Sequence, residues 1–211
     1  MDARLMKGSY SLGTKTAALN VGFIGLIPPH SGAYTKINRL VYTTAGTPHT
    51  LNIMKSQGKT TTTAASSASG TTLTLASISI ANKVNGESLS ENLAANDWLV
   101  VQHTDGTWGA YMVTSVSGLV VTLSTSAPAV ALAKDVASGA VVYGMYETSR
   151  ATGKDAVVIT TTASSTQTFE TYAPEVGIAQ SNGTNEPLLF HSSNVTAAGS
   201  LVYVSAVYSR I

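Results

Sequence analysis

A chain of 211 residues without a single cysteine has no disulfide staples, no thiol nucleophile and no thiolate metal ligand. Charged residues make up only 11%, against roughly a quarter in ordinary soluble domains, while the apolar share of 44% is ordinary. The formal net charge of +1 hides an asymmetry: Ala3 to Gly86 carries eight cations and no acid, whereas from Glu87 onward ten carboxylates meet four cations.

Thr, Ser, Asn and Gly take the place of the missing charge. Threonine's branched Cβ suits strands, and a charge-poor surface suits a protein packed in an assembly better than a free monomer. The length allows one domain, or a domain with a sizeable insertion. The apolar run from Val21 to Ile27 is broken by Gly22 and Gly25 and stops at Pro28-Pro29. It is shorter than the roughly 20 apolar residues a bilayer span requires, and no signal-peptide pattern precedes it. The expectation is a protein made in a cytoplasm, with no membrane partner.

In chain order, residues 1–33 are punctuated by Gly8, Gly13, Gly22, Gly25, Pro28, Pro29 and Gly32, which predicts an extended N-terminal arm with short strand-like pieces. Residues 34–211 are expected to form a β-sandwich domain. Tyr34 to Lys55 reads as two strands around Ala45-Gly46-Thr47-Pro48. Thr60 to Gly70 is a low-complexity loop or exposed edge, and Thr71 to Ile80 is a strand. Ser88 and Glu91 have capping-box spacing and Leu89 and Leu93 lie four apart, which predicts a short helix over Ser88 to Ala95.

Residues 96–125 read as a three-stranded meander, an insertable subdomain. Asp105-Gly106 between apolar runs signals a tight hairpin, and Ser117-Gly118 offers a second. With two-residue loops at both, Leu99, Val101, Trp108, Ala110, Met112, Val116, Leu119, Val121 and Leu123 share one face, the expected core. Trp98, Val100, Gln102, Gly109, Tyr111, Val113, Ser115 and Thr122 share the other, and a one-residue slip would scramble the sorting. Trp98 and Tyr111 make this mixed face a candidate interface. Ala127 to Ala133 reads as a short helical link. Ala140 to Glu147, Ala156 to Ala163, Pro187 to His191 and Ser200 to Tyr208 read as strands. The fold class is all-β: an antiparallel sandwich or barrel-like core with an extended arm and a meander subdomain.

Chemical motifs are sparse. His30, His49, His103 and His191 lack metal spacing, and HExxH, GxSxG, phosphate-loop and EF-hand patterns are missing. Of the four, His103 beside Trp108 has the best case for a role beyond packing. Glu170 with Glu175, or Asp97 with Asp105, are carboxylate pairs of the kind glycosidases use, but eleven carboxylates supply many such pairs by chance. Asn182 and Asn194 match the glycosylation pattern by chance in a chain without a secretory signal. The expectation is a non-enzyme with no cofactor and no metal. Eight cations spread over more than eighty residues, without interleaved aromatics, argue against nucleic acid. The charge split has two readings: pairing of the first part with later strands of one subunit, or an arm whose Arg4, Lys7 and Lys15 reach an acidic neighbour.

Leu40 to Leu51, with Ala45-Gly46-Thr47-Pro48 at its centre, and Asn96 to Val101, with Asp105-Gly106 and Val113 to Gly118, look like the hairpin and compact β modules of tailed-bacteriophage virion proteins. Together they cover about a third of the chain. The resemblance implies a virion component, assembled in the host cytoplasm. Within that class it implies a head decoration, or cement, protein that binds the major capsid protein and its own copies, often as a trimer. The arm would then contact the capsid through Arg4, Lys7, Lys15, Val21, Phe23, Ile24, Leu26 and Ile27. Tail and fibre proteins share the same style, and there Trp98 and Tyr111 would offer a stacking surface to glycans.

Overall fold

The computed structural model describes residues 6–17, 22–45, 50–84, 87–125, 131–145, 156–160, 166–170, 179–181, 185–193 and 200–210. Within these the chain forms β1 (Met6–Ala17), β2 (Gly22–Ile27), β3 (Thr35–Ala45), β4 (Thr50–Lys55), β5 (Gly58–Thr61), β6 (Thr72–Thr74), β7 (Ser79–Val84), β8 (Glu87–Asn92) and β9 (Trp98–Gln102). There follow β10 (Trp108–Ser117), β11 (Val120–Leu123), β12 (Val141–Met145), β13 (Ala156–Thr160), β14 (Thr166–Glu170), β15 (Ala179–Gln180), β16 (Leu188–Ser193) and β17 (Ser200–Arg210). The fold is all-β and its sheets are antiparallel, as the composition predicts. The chain divides into two compact units: Met1–Lys55 with Ala156–Ile211, and Ser56–Asp155.

The first unit is a two-sheet sandwich. One sheet has the order β1-β17-β3-β14, with β15 also on β3, and the other runs β13-β4-β16-β2. Ile27, Ile37, Leu40, Leu51, Ile53, Leu188 and Phe190 are buried. The expected arm is therefore corrected. Residues 6–17 are a sheet strand, with pairs from Met6↔Arg210 to Ala17↔Ser200. Residues 22–27 pair with β16. A glycine-punctuated segment forms strands here because partner strands far along the chain satisfy its backbone, and local propensity does not see them. The hairpin expected over Tyr34 to Lys55 is corrected too. β3 and β4 are strands, but they lie in different sheets: β3 pairs with β17, β14 and β15, and β4 with β13 and β16. The connecting residues 46–49 lie outside the described ones.

The second unit interrupts the first between β4 and β13, which are themselves neighbours, Met54 opposite Ala156. It is a small barrel and much longer than the 96–125 meander. Its sheet has the order β5-β12-β9-β10-β11-β6. The ends close through a Thr62↔Leu75 bridge, flanked by Thr63 N donating to Thr74 O at 2.8 Å and Ala76 N to Thr61 O at 2.8 Å. Closure leaves no open edge on this sheet, the feature that keeps edge-to-edge association in check. Leu73, Leu75, Leu99, Val101, Tyr111, Val113, Val121, Leu123 and Val142 fill the core, together with Ile80 from β7 and Leu93, Leu132 and Val136 from the connecting segments.

Four local expectations fail here. The segment predicted as a helix from Ser88 contains strand β8, paired with β7 from Ser79↔Asn92 to Val84↔Glu87. Two helical turns make too few internal hydrogen bonds to stand alone, and the tertiary partner on offer is a strand. The first meander turn is a three-residue loop, Thr104-Asp105-Gly106. His103 N donates to Thr107 O at 2.8 Å, and Gly106 sits at φ +80°, the left-handed position that closes such loops. The extra loop residue slips the register by one, so that Tyr111 faces Leu99 and Met112 faces Trp98. Tyr111 and Val113 therefore join Leu99 and Val101 inside, while Trp108, Ala110 and Met112 move to the other face. A bulge between Val113 and Ser115 then restores the phase, so that Val116 packs against the core opposite Val121. The second turn is one residue later than expected, with Ser117 opposite Val120, and it leaves Leu119 46% exposed. Of the link expected as helical over Ala127 to Ala133, residues 131–133 are not helical and 127–130 lie outside the described residues.

The unit boundary regroups the charges. The sandwich unit holds seven cations and four anions, net +3, and the barrel unit five cations and seven anions, net −2. Of the first-part cations on strands, Arg39 stands directly opposite Glu170, an arrangement of opposite charges that favours the pairing of two strands. Lys36 is buried in β3, opposite Gln180 and Ser209.

Candidate functional site

The polar feature with most structure around it lies where the β9–β10 hairpin meets the segment 131–140. His103 ends the inward-facing row of β9 and is only 5% exposed. Its Nε2 lies 2.7 Å from Tyr111 Oη and its Nδ1 lies 3.0 Å from Thr107 Oγ1. The two rings meet edge to face, with centroids 6.1 Å apart at 71°. Tyr111 Oη also accepts the Ala133 amide at 3.1 Å. Thr107 Oγ1 donates to Asp105 Oδ1 at 2.6 Å, and the same carboxylate oxygen accepts the Thr107 amide at 3.0 Å. Lys134 Nζ is 2.5 Å from Asp105 Oδ2 and 3.2 Å from Thr107 Oγ1.

One direction of donation satisfies these contacts. Tyr111 Oη accepts from Ala133 N–H, so its own proton is free for His103 Nε2. That leaves Nδ1 as the protonated nitrogen, donating to Thr107 Oγ1, whose proton goes to Asp105. The threonine oxygen's second lone pair takes Lys134. With the imidazole neutral and its proton on Nδ1, both hydroxyl protons and the ring proton of the chain each have an acceptor.

Electrostatics follow the geometry. Hydrogen bonds from Lys134 and Thr107 hold the Asp105 carboxyl well below the usual carboxylate range. Burial lowers the His103 pKa. Asp105 opposes that shift and Lys134 reinforces it. Burial raises the Tyr111 pKa, against smaller lowering effects of the Ala133 amide and Lys134.

Gly109 makes this packing feasible. A Cβ there would lie 2.5 Å from Tyr111 Oη and 2.8 Å from both Cε1 and Nε2 of His103. Chemically the cluster is a clasp: both ring nitrogens of His103 are engaged in hydrogen bonds, to Tyr111 and to Thr107.

The residues singled out from sequence are scattered. Trp98 and Tyr111, expected together on one mixed, half-exposed or covered face, are 2% and 1% exposed and lie on opposite faces of their strands. They cannot form a glycan platform, because the slipped register turns Tyr111 into the core. Leu26 and Ile27, expected to meet a capsid, are buried in β2 against β16. Phe23 and Ile24 lie in the same strand, Phe23 opposite His191. Lys7 and Lys15 lie in β1, opposite Ser209 and Val202. Arg4 and Val21 lie outside the described residues, as do His49, Glu175, Asn182 and Asn194.

Asp97 is buried, with Oδ2 accepting the Ala94 amide at 2.7 Å. It sits before β9 and Asp105 after it, about 25 Å apart along extended chain, too far to act as a carboxylate pair. His30 is half-buried, its Nδ1 3.1 Å from Ser31 O. Among the described residues no group of three or more His, Cys, Asp or Glu is placed to hold a metal, and no helix is long and apolar enough to cross a membrane. Sequence reasoning found His103 but gave it the wrong neighbour. The signal for Tyr111 was Gly109 two residues before it, a gap on the same face into which the ring pair fits.

No protein-family model matches the chain, and no curated protein is similar to it. Among solved structures the chain is similar to VP17, a capsid protein of bacteriophage P23-77, with 10% identity over 98% of this chain and 97% of that one and a TM-score of 0.22. It is also similar to a chain of infectious bursal disease virus, Gx strain, with 12% identity over 99% of this chain and 39% of that one and a TM-score of 0.14. At these TM-scores no functional statement follows from either.

Proposed function

We propose that this protein is a non-enzymatic structural component of a tailed-bacteriophage virion, which binds the outer capsid as a decoration protein and associates with its own copies. The observation that carries this reading is one uncharged stretch of the barrel's exposed surface, residues 61–72; the exposed Lys59, Asp105, Lys134 and Asp135 lie elsewhere along the chain. Thr61, Thr63, Ala64, Ala65, Ser67, Ala68, Ser69 and Thr72 are exposed and none is charged. A free monomer normally relies on surface charge for solubility, whereas an uncharged Thr/Ser/Ala surface suits dense packing against neighbours. The opposite net charges of the two units would orient one copy against another, or against the capsid. The contacts are assigned to folded sheet surfaces, since Leu26 and Ile27 are spent on the sandwich core.

Immunogold electron microscopy of particles from cells making the protein tests the proposal. Gold over the heads is the expected result. Gold on tails or fibres would move the protein to that part of the virion, and unlabelled particles beside abundant soluble protein would refute a virion role.

A further inference from the structure

We propose that the His103–Tyr111 pair is a pH-sensitive clasp on the segment 131–140, closed while the imidazole is neutral and loosened when it is protonated. The hydrogen-bond chain has one satisfied direction. A proton added at His103 Nε2 would make that nitrogen a donor to Tyr111 Oη, which already accepts from Ala133. The phenol's own proton would then have no acceptor in a closed core, and a buried donor left unmade is costly. The protonated ring would also be a charge in a nearly closed site.

The charged groups facing the ring come from both sides. Asp105, on the hairpin loop, favours the imidazolium. Lys134, on the segment, disfavours it and is tied to Asp105. Asp135 is turned away: its Oδ1 accepts the Ala68 amide at 2.7 Å, while its backbone carbonyl accepts Thr104 N at 3.0 Å.

Loosening would be local. Leu132 and Val136 remain plugged into the core, Val136 and Ser66 exchange backbone bonds at 2.8 and 2.9 Å, and Ser69 N donates to Leu132 O at 2.7 Å. The part held by the pair is the Ala133 amide, while the Lys134 side chain is tied to Asp105 and Thr107. The sign follows from burial of a neutral base. The folded state binds fewer protons than the unfolded one below the ordinary value of 6.5. The clasp's stabilisation is therefore complete above that pH and is lost as pH falls through it.

Amide exchange and imidazole nitrogen shifts in the full-length, isotope-labelled protein test this. Near neutral pH, His103 should show a protonated Nδ1 and a bare Nε2. Between about pH 7.5 and about pH 5.5, Ala133 protection, corrected for intrinsic exchange, should fall about fivefold to tenfold relative to Val136, the loss expected for one hydrogen bond. Tyr111→Phe should leave Ala133 weakly protected at both pH values. A His103 that titrates at or above 6.5, or a constant Ala133-to-Val136 ratio, overturns the proposal. Those two wild-type readouts decide even if the variant does not fold.

Discussion

Replacing Gly109 with alanine is the sharpest probe of the barrel's polar core. The new methyl carbon would lie 2.5 Å from Tyr111 Oη and 2.8 Å from two atoms of the His103 ring, all well inside contact distance. None of these atoms is free to swing aside: the His103 ring is held at both nitrogens, and the Tyr111 hydroxyl is held by two hydrogen bonds. Forcing a methyl into a packed core costs about 1–3 kcal/mol. Pushing the rings apart also loses the His103–Tyr111 hydrogen bond, a further loss of about 1 kcal/mol. Gly109→Ala should therefore destabilise the barrel unit by about 2–4 kcal/mol, the sum of these two effects.

Urea unfolding followed by tryptophan fluorescence is the natural assay, because both tryptophans, Trp98 and Trp108, belong to the barrel unit. Tyr111→Phe removes the atom nearest the added methyl. In the double variant the two losses should fall short of additivity by about 1 kcal/mol or more, as expected for groups in contact. If Gly109→Ala unfolds within about 0.5 kcal/mol of the parent, the glycine is not holding space for the ring pair and the reasoning fails.

Two further outcomes are expected. Leu73→Ala, at a fully buried core position, should cost about 2–5 kcal/mol, while Leu119→Ser at the exposed hairpin tip should change stability by less than about 0.5 kcal/mol; equal losses in urea unfolding would contradict the observed register. A fragment of residues 56–155 should fold alone, because its sheet closes on its own core and its ends leave and rejoin the sandwich at neighbouring strands, Met54 opposite Ala156; a fragment spectrum without amide dispersion would refute that.

How much of this was legible depended on range. The strands around Leu51, Val101, Val142, Val157, Leu189 and Tyr203 were readable because apolar and β-branched residues fit a pleated, half-buried surface wherever it forms. The phase of β10 was not. Asp105-Gly106 marks a turn in either a two-residue or a three-residue loop, and one residue of difference exchanges the faces, which moved Tyr111 inward and Trp108 outward. Ser88 to Ala95 carried a helix signal that β7 overrode. At the site, His103 stood out as a lone imidazole, but its partners Tyr111, Thr107 and Ala133 meet it only through that register and the return of a distant segment.

The sequence by itself determined the fold class, the exclusion of cysteine chemistry, the charge-poor surface and the positions of most strands, because these rest on composition and on patterns local to a few residues. Only the tertiary structure decided that Met6–Ala17 is a strand beside β17, that β3 and β4 part into different sheets, and that the interrupting segment closes into a barrel around a satisfied His103–Tyr111 clasp. Those are pairings between residues far apart in the chain, and backbone hydrogen-bonding groups accept any strand as a partner. The choice among partners is made by which arrangement buries the apolar faces and satisfies the polar groups of the whole unit at once.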